Sequence, residues 1–238
     1  MALRGASWAP GAGETGPVVQ YGTEDPAMVG KGETTRDRIL EAAEAAVLAK
    51  GFGATSIDEL IAAVGITKNG FFYHFRDKNE LARALLLRYL EREEAILDDL
   101  FARARTLSDD PLHAFLVGLK LFAELMEDLP EGHPGCLVAT YCYQERLFDA
   151  EVRALNRRIV AGWRARFRAL LEDIAATYPM RETVDLDDLA DTVSAIVEGG
   201  LVLGRAMGDH YILPRQVMVL RSFVKLLFAP HSQPVAAS

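Results

Sequence analysis

The stretch from Ser56 to Phe75 reads SIDELIAAVGITKNGFFYHF and decides the fold. It holds two short helical patterns separated by the tight connection Val-Gly-Ile-Thr at 64–67. Gly65 supplies the backbone freedom of a sharp turn, and Ile66 is expected to fill the angle between the helices. The second helix is short, begins at the capping residue Thr67, and is therefore free to enter a DNA major groove. The pattern predicts a helix-turn-helix.

Polar side chains at the start of this second helix fit contact with DNA. Lys68 can donate to guanine, and Asn69 can bind adenine through two hydrogen bonds. Further candidates for phosphate contact lie on the same helix or at helix starts, where backbone N–H groups favour anions: Thr55, Ser56, Tyr73, His74 and Lys78. An ordinary surface role for Lys68 and a solvated cap at His74 are the alternatives. Phe75, with Phe71 or Phe72, is expected in the core.

Helical periodicity continues on both sides of this stretch, and alternating strand patterns are absent. An S-x-x-E capping box is expected at Ser56. The predicted helices span about 34–50, 56–64, 78–105, 136–147, 149–178, 186–207 and 214–228. Two more are predicted to begin near Thr67 and at Pro111, the latter ending before Pro134-Gly135. The sequence therefore predicts an all-α protein of about nine helices.

The two ends of the chain differ from this body. Residues 1–32 hold seven of the 19 glycines and show no apolar periodicity, so they are predicted to be a disordered tail. Residues 231–238 are predicted to be a disordered C-terminus. Met28 is a candidate for the native start. No secretory signal is readable.

The net charge, the number of cysteines and the length of the apolar runs limit the classes of function that the chain can have. The net charge of −8 excludes a uniformly basic nucleic-acid coat but leaves room for a local DNA-binding patch. Two cysteines are too few for a disulfide framework, which favours a reducing, cytoplasmic compartment. No apolar run approaches the roughly 20 residues of a membrane span.

Three motifs carry a resemblance to a known family. They are Thr35-Arg36-x-x-Ile39-Leu40-x-Ala42-Ala43, Gly51-Phe52-x-x-Thr55-Ser56-Ile57 and Gly65-Ile66-Thr67-Lys68-x-Gly70-x-Phe72-Tyr73-His74-Phe75-x-x-Lys78-x-x-Leu81. The set, about 50 of 238 residues, resembles the tetracycline-repressor (TetR) family. Departures occur at Ile61 and Val64, which are bulkier than the family's usual residues, and at Asn69-Gly70.

The resemblance implies a helix-turn-helix DNA-binding domain over residues 33–80 and a C-terminal ligand-binding and dimerisation domain over 81–230. The family's DNA contacts correspond to Thr55, Ser56, Thr67, Lys68, Asn69, Phe72, Tyr73, His74 and Lys78. The implied partners are double-stranded DNA with a palindromic operator, a small-molecule inducer and a second copy of the chain.

Two apolar stripes in the last helices are candidates for the dimer interface, with an intramolecular core as the alternative. They comprise Leu189, Val193, Ile196, Val197, Gly200, Leu201 and Gly204 on one helix, and Val217, Leu220, Val224 and Leu227 on the other.

The ligand pocket is expected among the middle helices. Its candidate residues are Tyr89, Phe115, Phe122, Met126, Cys136, Thr140, Tyr141, Trp163, Phe167 and Glu198, each of which is also an ordinary core candidate. Glu198 is expected to meet a polar or cationic ligand or to pair with an arginine such as Arg166.

Cys136 is expected at a helix N-terminus, where the pKa of a thiol can fall; a buried, inert cysteine is nevertheless the favoured interpretation, and an oxidant or electrophile sensor is the alternative. His133, Cys136 and Cys142 match no known ligand spacing, so no metal and no cofactor are expected.

The most favoured function is a ligand-responsive repressor, a homodimer that an inducer releases from its operator. The alternatives are an activator of the same family and a thiol-based electrophile or oxidant sensor acting through Cys136. A helical-bundle enzyme is disfavoured because no Glu-x-x-His pair, phosphate loop or nucleophile elbow is present. Two further alternatives are an architectural DNA-binding protein without ligand control and a pure protein-interaction module.

Overall fold

The computed structural model describes residues 34–228, which form nine α-helices and no β-strand. The helices are α1 (Thr35–Lys50), α2 (Ile57–Val64), α3 (Lys68–His74), α4 (Lys78–Leu107), α5 (Pro111–Glu127), α6 (Leu137–Tyr143), α7 (Ala150–Thr177), α8 (Leu186–Met207) and α9 (Ile212–Phe228). The predicted all-α class is confirmed. The expected disordered segments at 1–32 and 231–238, and the candidate start at Met28, lie outside the described residues.

Side-chain caps fix the starts of the first helices. The Thr34 hydroxyl accepts a hydrogen bond from the Asp37 backbone N–H at 3.2 Å, and the Asp37 carboxylate accepts from the Thr34 N–H, which completes a capping box. Ser56 likewise accepts from the Glu59 N–H at 3.1 Å. The reciprocal bond predicted at Ser56 is absent, because the Glu59 carboxylate pairs with Lys50 at 2.6 Å.

Two helix boundaries differ from the sequence prediction. α6 ends at Tyr143, and a 3-10 turn at Glu145–Leu147 replaces the expected continuation of the helix. This turn brings the Phe148 ring to 4.2 Å from the Tyr141 ring, in a stacked arrangement. α9 begins at Ile212, ahead of the expected Pro214. Proline is tolerated there because the first turn of a helix does not need its N–H group.

The first three helices share one hydrophobic core with the start of α4. Phe71 and Phe75 lie in this core, as predicted, and are 0% and 1% exposed, whereas Phe72 is exposed. The same core continues into α6 and α7 through side chains such as Tyr141 and Val152. The proposed boundary between residues 80 and 81 falls inside α4, so the division into two domains stays a prediction.

The remaining helices form a bundle in which α9 packs against α5 and α8. Gly200 permits the close approach of α8 to α9, because a Cβ there would lie 3.0 Å from the Leu213 Cα. Val217, Leu220 and Val224 are fully buried within the chain. The stripe predicted on α9 is therefore intramolecular core, which is the alternative reading. Other apolar residues occupy the outer faces of α8 and α9: Val202, Leu203, Met207, Val219, Phe223 and Leu226.

Candidate nucleic-acid interface and interior polar cluster

The turn between α2 and α3 has the geometry that the sequence predicts. Gly65 adopts the left-handed conformation with φ 70°, which favours glycine. The carbonyl of Ile61 accepts hydrogen bonds from the N–H groups of Gly65 and Ile66, at 3.0 and 3.1 Å. The Arg38 guanidinium donates to the Val64 carbonyl at 2.6 Å and satisfies the end of α2. The direction in which α3 leaves the turn is thus set by backbone conformation and hydrogen bonds.

One face of α3 is exposed and polar. Lys68 and Asn69 are exposed at its first turn, and Tyr73 is 86% exposed further along. Thr67 is also exposed and caps the helix by accepting from the Gly70 N–H at 3.1 Å. The opposite face contributes Phe71 to the core. This division leaves hydrogen-bond donors and acceptors free on the outer face of a short helix.

The nine predicted DNA contacts do not all lie on that face. Thr55 is 1% exposed, and its hydroxyl donates to the Gly51 carbonyl at 3.0 Å, so its side chain stabilises the turn after α1. Lys78 is half-buried; its Nζ donates to the Phe52 carbonyl at 2.8 Å and lies 4.5 Å from the centre of the Phe52 ring. Burial lowers the pKa of Lys78. Ser56 is exposed, Phe72 is 42% exposed and His74 is half-buried.

A second group of polar side chains converges inside the body. Tyr89 and Glu93 come from α4, Cys136 is the N-cap of α6, Glu198 comes from α8, and His133 lies in the loop before α6. The side chains of Tyr89 and Glu198 lie close enough to the Cys136 thiol to shift its pKa, and the Cys136 sulfur accepts a hydrogen bond from the Ala139 N–H at 3.4 Å. Tyr89 is 3% exposed and Cys136 7%. These five residues are called the interior polar cluster below.

Burial favours the neutral forms in this cluster. It raises the pKa of Glu93 to about 7, a rise that nearby Glu44 and Glu198 increase and Arg92 opposes. Burial also raises the pKa of Glu198. For His133, burial, with a smaller effect from Arg92, lowers the pKa to about 4. Perturbed titrations of this kind are concentrated at functional sites.

Cys136 is buried, as the favoured interpretation of the sequence expected, whereas the activated thiol and the pairing of Glu198 with Arg166 are not found. Burial, followed by the charge of Glu198, raises the pKa of the Cys136 thiol, although Cys136 does cap a helix. The helix N-terminus therefore does not activate this thiol. Glu198 does not pair with Arg166, because that guanidinium binds Asp98 at 2.6 Å.

The ten predicted pocket residues do not form one site. Tyr89, Cys136 and Glu198 come together in the interior polar cluster. Tyr141 instead donates to the Ala82 carbonyl at 3.1 Å within the first core. The remaining six are dispersed. Phe115 and Phe167 pack against Phe101, and Trp163 lines a groove between α4 and α7. The Thr140 hydroxyl donates to the Cys136 carbonyl, Met126 is buried and Phe122 is half-buried.

Sequence reasoning missed Glu93 and His133. Glu93 follows Tyr89 by one helical turn, on a face that also carries Leu85 and Ile96. An acidic residue that interrupts a buried apolar stripe was a signal open to the sequence. His133 lies in an irregular loop, and no periodicity marks its burial.

An ion pair connects this region to α1. The Arg92 Nη2 lies 2.5 Å from the Glu44 Oε1, and Glu44 is 8% exposed. Two further arginines bind carbonyls of α1: Arg88 of α4 reaches Asp37 at 3.1 Å, and Arg205 of α8 reaches Leu48 at 3.4 Å. Both α4 and α8, which carry cluster residues, thus bind α1 through arginine side chains. α1 in turn packs against α2 of the helix-turn-helix.

None of the helices in residues 34–228 has both the length and the apolar character needed to cross a membrane.

Comparison with known proteins places this arrangement among regulators. Residues 39–85 match bacterial regulatory proteins of the tetR family. The transcriptional regulator AcuR of Cereibacter sphaeroides is 26% identical over 156 residues, which are 64% of this chain and 68% of AcuR. The uncharacterized HTH-type transcriptional regulator YxaF of Bacillus subtilis is 24% identical over 81% of this chain and 97% of its own length.

Solved structures show the same fold. A TetR transcriptional regulator from Chloroflexus aurantiacus is 25% identical with a TM-score of 0.66, and the match covers 81% of this chain and 95% of that one. The regulatory protein TetR from Rhodobacter sphaeroides is 21% identical with a TM-score of 0.65, over 82% of this chain and all of the other. The matched helix-turn-helix segment, these relatives and the shared fold together show that the chain is similar to bacterial transcriptional regulators of the tetR family.

Proposed function

We propose that the protein is a ligand-responsive repressor that binds a palindromic operator as a homodimer and is released by a small-molecule inducer. The outer face of α3 carries this proposal. Lys68, Asn69 and Tyr73 are exposed there on a helix whose direction is set by the Gly65 turn. Side chains of these types can read base edges and bind phosphates in a major groove.

The outer faces of α8 and α9 support the homodimer. Val202, Met207 and Leu226 are 57%, 72% and 62% exposed, although all are apolar. Contiguous apolar surface on a helix pair is typical of a protein interface. A two-fold pair of these helices would form a four-helix contact and present two α3 helices to DNA, about 34 Å apart, which is one helical turn of DNA.

The interior polar cluster supports ligand control. Its residues come from α4, α8 and the start of α6, and arginines of α4 and α8 bind groups of α1. A ligand that binds better to one orientation of these helices shifts the population between orientations. The helix-turn-helix would move together with α1. A ligand in the body of each protomer would therefore change the distance between the two α3 helices of the dimer.

Selection of random DNA by the purified full chain, read by sequencing, tests the proposal. An enriched inverted repeat whose half-sites lie about one helical turn apart is expected. Failure to enrich any site, with protein shown by mass spectrometry to carry no bound small molecule, contradicts the proposal. A repressor requires in addition that the operator overlap the promoter it controls, and that the target be expressed more strongly in a deletion strain.

A further inference from the structure

The turn that follows α6 contacts the loop between α1 and α2. Gln144, the C-cap of α6, accepts a hydrogen bond from the Gly53 N–H at 3.0 Å through its side-chain oxygen. A Cβ on Gly51 would lie 2.3 Å from the Gln144 Nε2, and Gly51 has φ 87°. Leu147 of the same turn lies over Gly53, because a Cβ there would be 3.0 Å from the Leu147 Cδ1. The turn therefore fits against a stretch of backbone that carries no side chains at these two positions.

This loop leads directly into the helix-turn-helix. The N-cap of α2 lies three residues after Gly53. The neighbouring Phe52 carbonyl accepts a hydrogen bond from Lys78 at 2.8 Å, so this bond stays within residues 51–78. The Gly53 N–H bonds instead to a residue 91 positions further along the chain. Gln144 thus joins the start of α2 to the end of α6.

Bonds from the body to α1 do not replace this contact. Arg88, Arg92 and Arg205 bind groups of α1, which precedes the loop, whereas α2 and α3 follow it. The bond at Gly53 therefore restrains α2 and α3 at a point that the arginines do not reach.

We infer that Gln144 is a positioning residue that makes the protein selective for the distance between the two half-sites of its operator. The inference rests on the proposed function, since it concerns how the dimer binds an inverted repeat.

The geometry of DNA supplies the reason. One base pair added between the half-sites moves one of them by about 3.4 Å and rotates it by about 34° around the DNA axis. A dimer whose α3 helices are held in one orientation binds the displaced half-site poorly. A dimer in which α2 and α3 can rotate relative to the body tolerates the displacement, so loss of the Gln144 bond should relax the spacing preference.

The test is fluorescence anisotropy of the full chain with the selected inverted repeat, and with that repeat lengthened or shortened by one base pair at its centre. The wild type is expected to lose about tenfold or more in affinity on either change. Gln144→Met keeps the length of the side chain but removes the acceptor for the Gly53 N–H, so its loss should be about threefold or less. Gln144→Glu retains an acceptor at the same place and should restore the wild-type selectivity.

Tyr143→Met is the matched control, because Tyr143 is 84% exposed at the position before Gln144. It should show the wild-type spacing preference. Gln144→Ala also removes the acceptor and should behave like Gln144→Met, and circular dichroism checks that each variant is folded. An equal loss of affinity for all three spacings in Gln144→Met marks a merely structural role and overturns the inference. A Gln144→Glu protein as tolerant as Gln144→Met, or a wild type that binds all spacings alike, overturns it too.

Hydrogen exchange of the free protein, followed by mass spectrometry, separates this inference from the proposed function. Peptides from residues 51–64 should exchange faster in Gln144→Met than in the wild type and in Gln144→Glu. If the wild type selects a repeat but all variants share its spacing preference, only the inference has failed. If the wild type selects no DNA, the proposed function has failed; faster exchange in Gln144→Met then still supports the positioning of α2 by Gln144, and equal exchange overturns it.

Discussion

The Arg92 guanidinium on α4 lies 2.5 Å from the Glu44 carboxylate on α1, and the pair is partly shielded from solvent. Glu44 belongs to the helix that supports the helix-turn-helix, and Arg92 precedes Glu93 of the interior polar cluster. One ion pair therefore lies between the surface proposed to read DNA and the interior polar cluster.

Glu44→Gln should destabilise the protein, because it leaves the Arg92 charge without its partner. Breaking a fully buried pair costs about 3–5 kcal/mol. The Arg92 side chain is 36% exposed, so solvent screening reduces the expected loss to about 1–3 kcal/mol. Urea denaturation at fixed protein concentration measures it. Glu124→Gln breaks the exposed pair with Lys120 and should change stability by less than about 0.5 kcal/mol. Equal losses in the two variants would contradict the assignment of a shielded pair.

Lys68→Ala should weaken binding to the selected operator by about 1–3 kcal/mol and relax the preference at one base step. The reason is that Lys68 is exposed at the start of α3, where it can donate to a base edge. Fluorescence anisotropy with the selected site and with single-base variants provides the measurement. Lys120→Ala, which removes an exposed lysine of α5 far along the chain from α3, serves as the matched control. A Lys68→Ala protein that binds every sequence like the wild type would show that α3 is not the recognition helix.

Thr55→Val should lower stability without changing the DNA affinity of the folded protein. Thr55 is 1% exposed and donates to the Gly51 carbonyl, so valine removes this bond and leaves the carbonyl short of a partner. The expected loss is about 1–2 kcal/mol. Denaturation and anisotropy on the same preparation separate the two effects. Weakened DNA binding with unchanged stability would restore Thr55 as a direct contact.

Glu93 and His133 should give opposite pH dependences of stability. The folded-state pKa of Glu93, about 7, is above its ordinary value, so its favourable contribution is present at low pH and is lost as the pH rises through 7. The folded-state pKa of His133, about 4, is below its ordinary value, so stability rises with pH until His133 is neutral in the unfolded chain as well, near pH 6.5. Each slope is at most about 1.4 kcal/mol per pH unit.

Urea denaturation of the wild type and Glu93→Gln between about pH 5 and about pH 8 checks the sign for Glu93. The variant should gain stability relative to the wild type as the pH rises towards 7 and hold that gain above it. A difference that does not vary with pH would mean that Glu93 is not buried as described.

Phe223→Glu should convert the proposed dimer to a monomer, because it places a charge on the exposed apolar face of α9. Sedimentation velocity over a range of concentrations reports the oligomeric state. Lys225→Glu makes a similar change at an exposed polar residue of the same helix. Loss of the dimer in Phe223→Glu alone supports the outer face of α8 and α9 as the interface, and an intact dimer in both variants excludes it.

The sequence predicted the helices well because the interactions that begin each helix involve residues close together in the chain. Thr34, Ser56 and Thr67 each cap a helix through a hydrogen bond to a residue three positions on, so the signal is contained in a few residues. The outer face of α3 was predicted for the same reason. The interior polar cluster was predicted only in part, because its members meet through the packing of α4, α6 and α8. Spacing along the chain could not reveal that Glu198 meets Cys136 and not Arg166.

The hydrophobic core that joins α1 and α3 to α6 and α7 bears on how this regulator can be engineered. Phe52 of the DNA-binding segment contacts both Tyr141 and Phe148, with ring centres at 5.7 and 4.7 Å. Cutting the chain near residue 80 to graft the segment onto a foreign body would strip these aromatic rings of their neighbours and expose them to water. A chimaera would lose stability before its specificity could be assessed. The DNA preference that we propose for this protein is therefore better redesigned by exchanging side chains on the outer face of α3 than by exchanging whole segments.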